Sequence, residues 1–341
     1  MAVAGIIGTG APTGADLAVF ATAALVSLAA SALLVVLLER VGERLGLSEA
    51  MLGILAALAA NAPEITSATT ALVRGQATIG AGVILGSNVF NLAALLGLSA
   101  LVAQRIHLHR RVIVFGGTVA LWLASVSIGT AAGLPAAGGL LLALVVFVPY
   151  VVLSAISLVT MARLPLPWSA IRWLHRTIVE EESDLYEAIR PEPGDARDAV
   201  VAAGALAVVV AASIVMEQSA SAVGRRLGLS DIVVGGVVLA AVTSLPNAVA
   251  AVYLGMRGRG AAVLSEALNS NNLNVVLGLL LPAAILGLGP PTTAVTVSAL
   301  WYLGMTVLSL AMAFAARGIG RVQGTVVIAA YAVFVVVLTR L

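Results

Sequence analysis

Apolar stretches of roughly twenty residues recur from one end of this chain to the other, and they limit the folds it can adopt. Only 10% of the residues are charged, whereas a soluble domain carries about 25%. The sequence therefore predicts an all-α polytopic membrane protein whose first partner is the lipid bilayer. A β-barrel is not predicted, because its strands would alternate polar and apolar residues and these stretches do not.

The apolar pattern predicts ten transmembrane spans. They lie at about 16–38, 48–73, 77–103, 112–132, 137–160, 199–222, 231–256, 261–286, 292–315 and 322–340. A polar segment separates spans five and six, so we divide the chain into a first half (1–160), a linker loop (161–198) and a second half (199–341). The start of the linker, from Trp168 to Arg176, is interpreted either as an amphipathic helix at the membrane surface or as part of a solvated connection.

The distribution of arginine predicts how the spans are oriented. The chain has no lysine; fourteen arginines fall in loops after odd-numbered spans, against four in the other loops and at the C-terminus. The positive-inside rule then places the linker in the cytoplasm and both termini outside the plasma or inner membrane. Five spans per half is an odd number, so the halves are predicted to be two inverted five-helix repeats. Many secondary transporters have this architecture, with their binding site between the repeats.

A duplicated block supports this division. N-A-P-E, which starts at Asn61, corresponds to S-L-P-N, which starts at Ser244, and G-S-N-V-F-N from Gly86 corresponds to N-S-N-N-L-N from Asn269. From the prolines onward the two copies are 183 residues apart, and all eight asparagines of the chain lie within them. Polar groups confined to two related stretches of a membrane protein mark a candidate functional site.

Proline is predicted to interrupt a span in each copy. A straight helix over 48–73 would be about 39 Å long, which exceeds the ~30 Å hydrocarbon core. Pro63 lies in its middle and has no N–H to donate, so the carbonyls of Ala59 and Ala60 are expected to be freed; Pro246 has the same effect in span seven. Freed carbonyls at membrane depth are costly unless they line a cavity or meet an ion. Paired interruptions therefore favour an ion site over simple packing kinks.

Oxygen-bearing side chains surround both prolines. Glu64 is a carboxylate at mid-membrane depth and shares a helix face with Asn61 and Ser67. The other candidate ligands in the two copies are Ser87, Asn88, Asn91, Thr243, Ser244, Asn247, Ser270, Asn271 and Asn274. Carboxylate, amide and hydroxyl oxygens suit hard cations such as sodium, calcium, magnesium or manganese. The alternative for the asparagines is hydrogen bonding between helices.

Glu266 is a further candidate, four residues before Ser270 on the same helix face. Its equivalent in the first copy is Val83, so this acid belongs to the second half alone. Three roles remain open for it: cation ligand, proton acceptor, or a residue that faces the cytoplasm near the start of its helix.

The sequence lacks the residues that other classes of function require. The chain has no cysteine, and its three histidines lie in or beside charged loops, so no zinc site is predicted. No nucleophile–base pair is present, so an enzyme is not predicted. No phosphate-binding loop indicates a cofactor, and the arginines are spread over short loops, so no nucleic-acid partner is predicted.

The motifs N-A-P-E and G-S-N-V-F-N, and more loosely S-L-P-N and N-S-N-N-L-N, resemble the two alpha-repeats of the sodium/calcium exchanger superfamily, the cation/calcium antiporters. The resemblance, to a divergent prokaryotic-type member, implies alternating access with cation sites between spans two, three, seven and eight. It implies that Glu64 and Asn247 stand at the calcium-ligating positions. The sodium-site positions implied by the resemblance are Ser87, Asn91, Ser270, Asn274, Ala60, Asn61, Thr243 and Ser244.

The chain departs from the family pattern at three of these positions. Asn247 stands where the family has a second glutamate, Asn274 stands where an acid is often found, and Ala60 lacks the usual hydroxyl. A divalent ion beside one carboxylate is poorly neutralised in a medium of low dielectric constant. Either Glu266 supplies the second charge, or the ion is monovalent, or the stoichiometry differs from that of the family.

The sequence therefore predicts a secondary active cation antiporter, in which sodium or protons drive the exchange of calcium or another hard cation. One alternative is a monovalent cation/proton exchanger that does not carry calcium. The other is a membrane sensor or scaffold that has this fold but does not transport.

Overall fold

The computed structural model describes residues 14–46, 49–155, 158–163, 165, 167–186 and 194–341. Within these ranges the chain is almost entirely helical, apart from one short ribbon of two strands. The expectations for the N-terminal segment before residue 14 and for linker residues 187–193 lie outside the described residues.

Six helices precede the linker segment. They are α1 (Gly14–Arg44), α2 (Glu49–Ala60), α3 (Ala62–Val73), α4 (Ala77–Val102), α5 (Arg110–Ala131) and α6 (Ala136–Ala155). The linker segment contains α7 (Leu158–Met161) and α8 (Trp168–Tyr186). The remaining helices are α9 (Ala196–Arg226), α10 (Asp231–Thr243), α11 (Leu245–Met256), α12 (Gly260–Leu286), α13 (Thr293–Ala316) and α14 (Arg321–Leu338).

Eight of the described helices, namely α1, α4, α5, α6, α9, α12, α13 and α14, are long and apolar enough to cross a membrane. Helices α10 and α11 meet at an angle of 46° and add a ninth span if they are counted together. The chain is therefore an integral membrane protein. At the place of the predicted second span the structure has two helices of 12 residues each, α2 and α3. The count of ten spans stays a prediction.

Two helices are interrupted beside a proline, as expected. Asn61 separates α2 from α3, and Ser244 separates α10 from α11; Pro63 and Pro246 each occupy the second position of the helix that follows. Proline cannot donate to the carbonyl four residues earlier, so the α-helical hydrogen bonding cannot continue through it. The carbonyl that Pro63 leaves without an N–H belongs to Ala59, and it instead accepts a 2.9 Å hydrogen bond from the Ser31 hydroxyl of α1.

Helices α4 and α10 cross with their backbones in contact, because both present glycine there. Gly82 and Gly86 of α4 face Gly235 and Gly236 of α10. A methyl group on Gly86 would overlap the backbone carbonyl of Gly236, and one on Gly235 would overlap the carbonyl of Ile79. Small residues allow this approach between membrane helices. The crossing fixes α4 beside the interrupted pair of α10 and α11.

The ribbon joins two distant loops. Strand β1 (Arg105–His107) follows α4, and strand β2 (Gly318–Gly320) lies between α13 and α14. The strands are antiparallel, with Ile106 opposite Ile319, and both of these side chains are buried. No pattern in the sequence predicts this pairing.

The start of the linker segment is helical and packs against the protein. Ile171 and Ile178 of α8 are buried together with Met161. Trp173 meets the edge of Phe115 in α5, with ring centroids 6.4 Å apart. Of the two interpretations of this segment, the amphipathic helix agrees with the structure, and part of its apolar face is covered by the helix bundle.

Candidate cation site

Glu64 lies at the third position of α3, just after the interruption at Asn61, and it is fully buried. Its Oε1 atom accepts a 3.0 Å hydrogen bond from the hydroxyl of Ser244. Ser244 itself lies at the other interruption, between α10 and α11. The N-terminus of α3 carries unpaired N–H groups and a partial positive charge, which favour a carboxylate in its first turn. The helix breaks thus bring a carboxylate and a hydroxyl from distant parts of the chain together.

A second cluster joins α12 to both interrupted pairs. The Asn247 side chain donates to Asn61 Oδ1 (2.8 Å) and to Ser270 Oγ (3.1 Å). The Ser270 hydroxyl donates to the same Asn61 oxygen (2.6 Å), and Asn61 Nδ2 donates to the Ser270 carbonyl (3.2 Å). All three side chains are buried.

Asparagines form a third cluster between α4 and α12. Asn88 and Asn271 each donate to the backbone carbonyl of the other, at 3.3 and 3.0 Å. Asn91 donates to Asn271 Oδ1 (3.0 Å), and Asn274 donates to Asn88 Oδ1 (3.2 Å). A further bond from Asn91 to Ser270 Oγ, at 3.2 Å, connects this cluster to the previous one.

The backbone changes character where the asparagines end. A π-helical stretch follows Asn91 in α4, over Leu92–Leu98, and another begins at Asn274 in α12, over Asn274–Leu280. Insertions of this kind within α-helices are frequent at functional sites.

The structure thus brings together most of the predicted ligands. The connected network contains Asn61, Asn88, Asn91, Asn247, Ser270, Asn271 and Asn274, and Glu64 pairs with Ser244 beside it.

Three predicted ligands lie outside these contacts. Thr243 is buried and donates to the carbonyl of Leu239 in its own helix. Ser87 is fully buried, and its hydroxyl has no hydrogen-bond partner in the described part of the chain. Glu266 is half-buried on α12, within electrostatic range of Glu39 in α1. No hydrogen bond from Glu266 to the network is found among the described residues.

Several buried oxygens around the network have no hydrogen-bond partner among the described residues. They include Glu64 Oε2, Ser67 Oγ, Ser87 Oγ, Asn91 Oδ1, Asn247 Oδ1 and Asn274 Oδ1. Buried polar atoms are nearly always bonded, and leaving one without a partner costs about 1–3 kcal/mol. A carboxylate together with amide and hydroxyl oxygens is the donor set that hard cations prefer.

Some contributions were not apparent from the sequence. Ser31 lies in an apolar stretch of α1, and only the packing of α1 on α2 reveals its bond to Ala59. Asn269 accepts from Tyr150 (2.7 Å) and donates to Ser265, so it stabilises the contact between α12 and α6. Asn272 is buried without a partner among the described residues. The duplicated block therefore contains asparagines with other roles than the network.

Comparison with known families decides the class of the protein. The family model described as sodium/calcium exchanger protein matches residues 16–159 and 199–340, well over half of the chain. The chain belongs to the sodium/calcium exchanger family. The family is one of transporters, and the resemblance inferred from the two sequence motifs is confirmed.

Relatives of this exchanger-family chain are distant. Sodium/potassium/calcium exchanger 2 of Mus musculus is 27% identical over 142 residues, which are 39% of this chain and 21% of the mouse protein. The chain thus spans about a fifth of the length of this relative. The putative antiporter CaxA of Alkalimonas amylolytica is 26% identical over 261 residues, which are 73% of this chain and 72% of that protein.

A solved structure of similar fold is the H+/Ca2+ exchanger CAX. It superposes with a TM-score of 0.69 over 99% of this chain and 88% of that chain, at 14% sequence identity. At this identity the likeness concerns the fold alone.

Proposed function

We propose that this chain is a secondary active antiporter that exchanges calcium, or another hard cation, for sodium ions or protons by alternating access. The observation that carries the proposal is Glu64, a fully buried carboxylate with one oxygen bonded to Ser244 and the other without a partner among the described residues. A carboxylate within a membrane is costly and is kept where it serves a function. Membership of the exchanger family, and the antiporter and exchanger names of its relatives, support this function.

The proposed ligands are Glu64 and the oxygen-bearing residues of the two copies of the duplicated block. Glu64 supplies the charge, and Asn61, Ser87, Asn88, Asn91, Thr243, Ser244, Asn247, Ser270, Asn271 and Asn274 supply neutral oxygens or position them. Glu266 is kept as a candidate proton acceptor, because it lies on the helix that carries Ser270 but outside the network.

The proposed architecture is two inverted five-helix repeats, 1–160 and 199–341, joined by a cytoplasmic linker at 161–198, with both termini outside. Two observations support it. Contacts between equivalent positions are reciprocal, since Asn88 and Asn271, which are 183 residues apart, bond each other's backbone. Each proposed repeat also contains one helix interrupted beside a proline.

The test is transport by the purified full-length protein in liposomes. We expect uptake of radioactive calcium when a sodium or proton gradient is imposed, and we expect Glu64→Gln to reduce it to the level of empty liposomes. Asp231→Asn, the same acid-to-amide change at an exposed position, serves as the control and should transport normally. Undiminished flux in Glu64→Gln would show that the ion binds elsewhere.

One observation favours monovalent cation/proton exchange as a second candidate. Glu64 is the one carboxylate in the described contacts of the network, because Asn247 occupies the equivalent position of the other interrupted helix. A flux panel with sodium, potassium, calcium and manganese at two pH values separates the candidates. Calcium-independent sodium/proton exchange would favour the second, and binding without any flux would favour a sensor.

A further inference from the structure

Some hydrogen bonds of the site occur as equivalent pairs. The contact of Asn247 with Asn61 is the counterpart of the contact of Glu64 with Ser244. The bond from Asn91 to Asn271 likewise corresponds to the bond from Asn274 to Asn88. Members of each pair lie at equivalent positions of the duplicated block. The site therefore consists of two related halves, one containing Glu64 and the other containing Asn247.

The pairing fails at the two serines. Ser270 Oγ accepts from Asn247 and from Asn91 and donates to Asn61. A hydroxyl has one proton and two lone pairs, so Ser270 has no lone pair left for a cation. The equivalent serine, Ser87, is also fully buried, but its oxygen has no partner among the residues described.

The amide of Asn247 explains the difference. Its Nδ2 atom donates hydrogen bonds to Ser270 Oγ and to Asn61 Oδ1. Asn61 Oδ1 also accepts a hydrogen bond from Ser270. The counterpart of Asn247 is Glu64, which as a carboxylate has no proton to donate. The amide of Asn247 thus satisfies the Ser270 oxygen, whereas the equivalent Ser87 oxygen remains available to a cation.

Oxygens without a hydrogen-bond partner lie at Glu64 and at the counterparts of the residues that bond Asn247 or Ser270. Glu64 Oε2, Ser87 Oγ and Asn274 Oδ1 have no partner in the described part of the chain, and Glu64 is the one charged group among them. Hard cations prefer oxygen ligands of this kind, and one negative charge suits a single ion.

We propose that the Asn247 amide takes the place of a second cation, so that this protein binds one hard cation at a time, on the Glu64 half of the site. The proposal rests on the proposed antiport function. Asn247 then sets the number of ions bound for two reasons. Its side chain is neutral where a glutamate would be charged, and its amide donates to two oxygens that could otherwise bind a cation, Asn61 Oδ1 and Ser270 Oγ.

Equilibrium binding of radioactive sodium and of radioactive calcium to the purified full-length protein tests the proposal. We expect about one ion bound per protein for either probe, with a Hill coefficient of about 1. Asn247→Asp removes the donor and adds a charge in the same volume, and it should raise the number of bound sodium ions to about two. Binding of two or more ions by the unmodified protein would overturn the proposal without any variant.

The two serines provide a matched pair. Ser87→Ala should weaken cation affinity about tenfold, and Ser270→Ala should weaken it less than about threefold. Equal losses would show that both halves ligate the ion and would contradict the proposal. A failure of the antiport function itself looks different: binding would be absent, or it would persist in Glu64→Gln.

Discussion

At the scale of single residues, Ser31 shows how a broken helix is made tolerable inside a membrane. Its hydroxyl donates a hydrogen bond to the Ala59 carbonyl, to which Pro63 has no N–H to donate, and Ser31 is fully buried. An unpartnered carbonyl in hydrocarbon would cost several kcal/mol. The interruption beside Glu64 is therefore stabilised from the neighbouring helix α1.

Ser31→Ala is expected to destabilise the protein by about 1–3 kcal/mol, because the Ala59 carbonyl loses its partner. The measurement is the apparent Tm of the purified protein, which should fall by a few degrees. Ser125→Ala is the control, since Ser125 is exposed and bonds a carbonyl of its own helix. Equal Tm values for the two variants would contradict this role of Ser31.

The residues of the site were predictable from the sequence to a greater extent than the hydrogen bonds that they form. Glu64, the asparagines and the two prolines were identified from the sequence because polar groups and proline are conspicuous in an apolar chain. The Ser31 bond was not predicted, since Ser31 and Ala59 lie on different helices and no local spacing relates them. The bond of Thr243 was not predicted either: its hydroxyl donates to the carbonyl of Leu239 in its own helix and not to the network.

At the scale of elements, the crossing of α4 and α10 depends on glycine. Gly86 has the backbone of Gly236 where its Cβ would be, so the two helices have no space for even a methyl group. Because the crossing lies on the helix that carries Ser87 and Asn88, its geometry controls the position of one wall of the site.

Gly86→Ala should therefore destabilise the protein by about 1–3 kcal/mol, as overpacking does in tightly packed interiors. The Tm of the purified protein and the flux in liposomes are both expected to decrease. Gly204→Ala is a matched control in α9, since nothing lies within 4 Å of the added Cβ. A variant of Gly86 as stable as that of Gly204 would show that the helices can separate without cost.

At the scale of the whole molecule, the long apolar helices were predictable from composition, and their boundaries agree closely with the predicted ones. For example, the span predicted at 112–132 is the helix Arg110–Ala131. The second span is different: Pro63 divides it into two helices, and neither α2 nor α3 is long enough to cross a membrane alone. The β1–β2 pairing was not predictable, because three-residue strands have no periodicity to detect.

The predicted orientation can be tested with single cysteines, since the chain has none of its own. Leu227→Cys, at an exposed site after α9, should react with a membrane-impermeant maleimide in intact cells. Ala162→Cys, exposed after α7, should react only once the membrane is permeabilised. The opposite pattern would reverse the orientation inferred from the arginines.

The β1–β2 ribbon has a consequence for the order in which the protein is made. Arg105 at its start bonds the carbonyl of Ala316, 211 residues further along the chain. At about 5–20 residues per second, a ribosome needs roughly 10–40 s to supply the second strand after the first. Strand β1 therefore remains unpaired while the helices between the two strands are made and enter the membrane. The ribbon can close only after α13 has been made, so its formation follows the synthesis of every helix that lies between its two strands.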